Sequence, residues 1–148
     1  MAQAKELLST LEAFLGEDRF HRFISQGFTP RRRYWLKHEP RLRYWQEQQW
    51  QRFAEAHPEF AVSMAELEII LRICELHRLE LQQDFEEVFH GNMDYTPEYT
   101  EACLRLFPHS ETGPIPTEGL PFEGERVEVF YCPECRRAEA HWRARSRR

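Results

Sequence analysis

The chain has 148 residues, 41% of them hydrophobic, and a mean hydropathy of −0.72, which allows one small core and excludes a membrane-embedded protein. No apolar run approaches the roughly 20 residues that a spanning helix needs. The formal net charge of −5 hides a split: residues 1–57 carry 10 Lys and Arg against 7 Asp and Glu, residues 58–135 carry 4 against 17, and residues 136–148 carry 6 against 1. The two basic ends are therefore free to fold back on the acidic middle or to bind acidic partners. The opening residues lack a charged stretch followed by an apolar block, so no signal peptide is expected and the reading is a cytoplasmic protein. In that compartment four cysteines are metal ligands or core residues rather than disulfides.

Residues 2–15 predict a helix, because Leu7, Leu8, Leu11, Phe14 and Leu15 fall at helical spacing and Gly16 stops the run. Residues 17–26 predict a second helix, with Phe20, Phe23 and Ile24 on one side. A small duplication follows: Pro30-Arg31-Arg32-Arg33-Tyr34-Trp35 returns ten residues later as Pro40-Arg41-Leu42-Arg43-Tyr44-Trp45. Thr29 before Pro30 is a candidate N-cap, and residues 40–57 are expected to be helical. One reading of the pair is a nucleic-acid or partner surface, with Arg31, Arg33, Arg41 and Arg43 on phosphates and Trp35 and Trp45 stacking. The other reading, favoured because the whole chain is acidic, buries the aromatic residues and pairs the arginines with nearby acids.

Pro58 breaks the helix, and Ser63-Met64-Ala65-Glu66 has capping-box spacing for a helix over residues 64–71. Leu79 and Leu81 alternate with Arg78 and Glu80, which predicts a strand that Phe85, Val88 and Phe89 extend. Gly91-Asn92 is a turn, and residues 97–106 predict a short helix. Residues 108–124 hold four prolines and three glycines and read as a surface loop. Residues 127–131 then predict a strand, followed by Cys132-Pro133-Glu134-Cys135 and a basic helix starting near Arg136.

The chemistry lies in two pairs with two residues between ligands, Cys74/His77 and Cys132/Cys135. Such spacing lets a tight turn present both side chains to one ion, and together they make a Cys3His set suited to Zn2+. Three thiolates and a neutral imidazole around Zn2+ leave about one negative charge; Arg72, Arg78, Arg136 and Arg137 flank the ligands. Glu75 and Glu134 sit between ligands and read as solvated acids. Cys103 belongs to an amphipathic helix and reads as core, while His141 is a substitute for His77. A strand followed by CxxC and a helix is also the order of a thiol redox site at Cys132 and Cys135, but only 13 residues follow Cys135. The cysteines could also be inert.

Cys132-Pro133-Glu134-Cys135, after a strand and before a helix, resembles the knuckle of zinc-ribbon and treble-clef domains. The resemblance spans about a third of the chain and implies a zinc-stabilised fold without a particular activity. It departs from the usual pattern in two ways: the first pair is CxxH, and residues 78–131, 54 in all, separate the pairs.

The expected fold is α+β: a helical N-terminal half, a small β-sheet with a zinc knuckle pair, and a C-terminal helix. Residues 1–62 form a helical, aromatic-rich segment and residues 63–148 the zinc-binding segment, folded as one compact unit. Four good ligands leave no open position, and no HExxH, nucleophile elbow, phosphate loop or deaminase motif occurs, so a catalytic role is not expected. The expected function is a binding or regulatory module for another macromolecule, a protein first and nucleic acid second.

Overall fold

Leu7, Leu11 and Leu15 recur every four residues and are all buried, as a stripe on one helix face must be. The structure, a computed structural model, describes residues 2–26 and 42–147. Among them are six α-helices and a small mixed sheet of three strands, an α+β fold. No helix among them is long and apolar enough to cross a membrane. The chain divides into two units, whose described residues are 2–26 with 42–72, and 73–147.

The first unit is helical. Helix α1 (Ala2–Leu15) ends where Gly16 takes a φ of +84°, a left-handed conformation that glycine adopts without strain. The Gly16 carbonyl then accepts the Phe20 N–H, the first bond of α2 (Glu17–Gln26). Helix α3 (Tyr44–Ala56) starts later than residue 40, because Arg43 is extended and serves as its N-cap. Gln46 is fully buried on α3, yet both ends of its amide are bonded. Its oxygen accepts the Arg43 N–H at 2.9 Å and its nitrogen donates to the Phe23 carbonyl of α2 at 2.8 Å. That satisfaction is what makes a buried amide tolerable. Phe53 is fully buried and has Phe14, Trp50, His57 and Phe60 around its ring, the last in a 3-10 turn (Pro58–Phe60). The capping box forms as the spacing predicts: Ser63 Oγ accepts the Glu66 N–H, and a Glu66 carboxylate oxygen accepts the Ser63 N–H. It opens α4 (Met64–Ile70).

The second unit carries the sheet. Strand β1 (Gln82–Phe89) begins after Leu79 and Leu81, because residues 73–80 are occupied by a tight turn. Helix α5 (Pro97–Leu106) follows, capped by Thr96, whose hydroxyl accepts the Tyr99 N–H. Strand β3 (Arg126–Tyr131) pairs antiparallel with β1, from Gln82 opposite Tyr131 to Glu87 opposite Arg126. Residues 108–124 are not simply a surface loop. They contain β2 (Ile115–Pro116), which runs parallel to β1 beside Val88 and Phe89. Thr117 N–H donates to the Phe89 carbonyl at 2.9 Å, and Ser110, Ile115 and Thr117 are buried. Two-residue strands carry no periodicity, which is why sequence alone reads a loop there. The last helix, α6 (Pro133–Ser146), starts before Arg136, with Cys132 as N-cap and Pro133 in the first turn, where a missing N–H costs nothing.

Arg136 joins these pieces. Its guanidinium contacts Asp84 and Glu86 of β1 at 2.8 Å each, donates to the carbonyls of Ser110 and Glu111, and lies 3.6 Å over the Tyr131 ring. Its bond to Asp84 holds that carboxyl below the usual carboxylate range.

Candidate metal centre

The first ligand pair is shaped by a turn closed on itself. Ile73 bridges to Glu80, the Cys74 N–H donates to the Leu79 carbonyl at 2.8 Å, and the Arg78 N–H donates to the Cys74 carbonyl at 2.8 Å. Arg78 takes a φ of +57°, an uncommon conformation for a side-chain-bearing residue that the turn imposes. The turn also points the His77 N–H at the Cys74 sulfur, at 3.4 Å.

The second pair comes from the junction of β3 and α6. Cys132 ends the strand side and Cys135 lies in the first helical turn, so both sulfurs sit at a helix N-terminus, where negative charge is favoured. Cys74, Cys132 and Cys135 are fully buried and form no disulfide with one another.

The structure brings all four predicted ligands together: one donor atom from each lies within 4.8 Å of the others. His77 Nδ1 stands 3.5 Å from the Cys74 sulfur, 3.5 Å from Cys132 and 3.4 Å from Cys135, and the Cys74 and Cys135 sulfurs are 3.7 Å apart. A tetrahedral ion with bonds of about 2.3 Å to sulfur and about 2.0 Å to nitrogen requires S–N edges of about 3.5 Å and S–S edges of about 3.8 Å. The donor set therefore fits one tetrahedral ion.

Charge points the same way. The hydrogen bond from Cys135 pushes the Cys74 thiol down to about 5, and the same bond, with burial, pushes the Cys135 thiol up. Burial pushes Cys132 up as well. Each sulfur thus opposes ionisation of its neighbours, and a divalent cation would offset that opposition and let all three ionise.

Glu75 departs from expectation. It is not a solvated acid: it is buried, and its carboxylate contacts His109 Nε2. Cys74, Glu75 and His109 form a second group of donor atoms within 4.8 Å of one another. Sequence reading missed His109 because nothing in Phe107-Pro108-His109 links it to a residue 34 positions earlier. Its backbone reaches the other pair too: the His109 N–H donates to the Cys135 sulfur at 3.4 Å, and its carbonyl accepts the Cys132 N–H at 2.8 Å. Glu134, in contrast, is half-exposed and pairs with Arg137 on the same helix.

Neither Cys103 nor His141 belongs to either donor group. Cys103 is half-buried and packs beside Phe107 and the cluster that includes the three buried cysteines; His141 is exposed. Of the predicted arginine-aromatic surface, Arg31, Arg33, Trp35 and Arg41 lie outside the described residues. Arg43 is exposed, and Trp45 is half-buried edge-on against Phe23 with Arg22 over its ring.

Fold and site thus define an α+β protein with a candidate Cys3His metal centre. No protein-family model matches the chain, and no curated protein or solved structure matches it.

Proposed function

We propose that Cys74, His77, Cys132 and Cys135 hold one structural Zn2+, and that the protein acts as a binding or regulatory module for another protein. The observation that carries the metal is the fit of the S–N and S–S separations to a tetrahedral ion. Four protein donors fill a tetrahedron, so the ion is structural rather than catalytic. Burial of all three sulfurs argues against thiol exchange with an outside substrate, which needs an accessible thiolate. Thiolate ligands suit the reducing cytoplasm.

A protein partner is supported by the outward face of β1, where Phe85 and Phe89 remain 49% and 44% exposed. Aromatic side chains are frequent binding anchors. Several basic side chains near the C-terminus, in contrast, are engaged within the second unit: Arg136 by Asp84 and Glu86, Arg143 by Glu139. Elemental analysis of purified protein tests the metal, with one zinc per chain expected and no bound metal overturning the site. A salt titration on single-stranded nucleic acid tests the partner class. Binding that weakens steeply with salt would favour nucleic acid over protein.

A further inference from the structure

We propose that Glu75 and His109 form a latch that holds the two ligand pairs in register independently of the ion and slows the ion's escape. The inference rests on reading the four ligands as one metal site, but its core concerns the chain's own contacts.

The two ligand pairs have no covalent link nearer than 54 intervening residues. Something must bring Cys74/His77 against Cys132/Cys135. Glu75 belongs to the first pair's turn, and its carboxylate contacts His109 Nε2. His109 belongs to the segment after α5, and its backbone grips the second pair at both cysteines, donating to the Cys135 sulfur and accepting from the Cys132 N–H. One residue therefore touches the first pair's turn, at Glu75, by its side chain and the second pair by its main chain. The segment is itself anchored. Phe107 is fully buried, and Arg136 bonds the carbonyls of Ser110 and Glu111. The side chains of Glu75 and His109 are only 6% and 13% exposed, so water competes little for their contact.

His109 is thus a positioning residue. It orients donors, it is not one of the four ligands, and its loss should loosen the metal without removing the site. Changes to such supporting contacts typically lower metal affinity by about 10–100-fold.

The experiment compares wild type with Glu75→Ala, His109→Ala and His109→Gln. The Gln amide N–H can still donate to Glu75. Zinc is titrated against a chromophoric chelator, its release rate is followed, and the absorption of the Co2+-loaded protein is recorded. Glu75→Ala and His109→Ala should still bind one ion with a tetrahedral Co2+ spectrum, yet bind it about 10–100-fold more weakly and release it faster. His109→Gln should recover much of the loss, and Arg143→Ala, a contact elsewhere on α6, should leave zinc affinity unchanged. Wild-type affinity and release in His109→Ala, or no recovery in His109→Gln, would overturn the latch.

A second arm uses metal-free protein and stands even if wild type binds no metal. There the His109 amide, bonded to the Cys135 sulfur, should exchange more slowly in wild type and in His109→Gln than in Glu75→Ala. Equal exchange in all three, with the β1 and β3 amides still protected, would also overturn the latch. Absence of metal in wild type alone would instead count against the zinc reading.

Discussion

Cys74 and Cys135 lie 61 positions apart in the chain, and their sulfurs stand 3.7 Å apart. Three buried sulfurs and an imidazole at these separations are a donor set, and removing one thiolate should empty it. Cys132→Ser replaces a soft thiolate with a neutral hydroxyl, so bound metal should fall from one per chain to near zero by elemental analysis. Cys103→Ser should retain the metal, since Cys103 lies outside the donor group. Retention in Cys132→Ser together with loss in Cys103→Ser would mean that the ligand set is different.

Chelation should act unevenly. A structural zinc contributes about 10–16 kcal/mol of apparent binding energy at neutral pH, while a whole small domain is stable by about 5–15 kcal/mol. In the second unit the cysteines make up most of one core cluster, Cys74, Cys132 and Cys135 with Ala102 and Phe107, beside a smaller cluster of Ile115, Val127 and Val129. The buried side chains of α1–α3 include none of them. A strong chelator should therefore speed amide exchange in β1, β3 and α6 more than in α1–α3. Equal protection before and after verified metal removal would show that the metal does not hold the second unit.

Much of this was legible beforehand, for identifiable reasons. The bounds of α1, α2 and α5 match the stretches 2–15, 17–26 and 97–106 expected from the sequence, with Gly16 stopping the first. The ligand pairs were legible because two-residue spacing is local. What stayed hidden was non-local. Glu75 reads as solvated until His109, 34 residues on, is brought beside it. Strand β2 exists only because β1 offers a free edge at Val88 and Phe89. The early start of α6 was within reach, since Pro133 suits the first turn of a helix better than its interior.

Arg136 should confer acid sensitivity on the second unit. Its bond holds Asp84 below the ordinary carboxylate value, with Arg126 contributing from a distance; Glu86 shares the same guanidinium. A depressed folded-state value means that the stabilisation is present above about pH 4 and is lost as pH falls through the folded value. Arg136→Ala should therefore melt at a lower temperature than wild type at pH 7, and the gap should narrow as pH drops below about 4. Comparing the two proteins at each pH cancels what acid does at the metal ligands. A gap that stays constant or widens in acid would refute the assignment.

Glu139 is the buried acid of α6, only 2% exposed, and it is held through one oxygen. That oxygen accepts the Tyr99 hydroxyl at 3.2 Å and the Arg143 guanidinium at 2.9 Å, while Oε2 has no hydrogen-bond partner among the described residues. Tyr99 is half-buried between Tyr95 and Trp142, so its hydroxyl has little water to turn to; burial pushes its ionisation up. Arg143 is 48% exposed and can be rehydrated. Glu139→Leu therefore leaves one important orphan, the Tyr99 hydroxyl, and should cost about 1–3 kcal/mol in denaturant unfolding. Adding Tyr99→Phe removes the orphan. Replacing both partners of a buried hydrogen bond by apolar groups is often nearly neutral. The double variant should thus be more stable than the sum of the single changes predicts, with a coupling of about 0.5–3 kcal/mol. Strict additivity would show that Tyr99 and Glu139 do not depend on each other, and that the acid is retained on α6 for its contact with Arg143 alone.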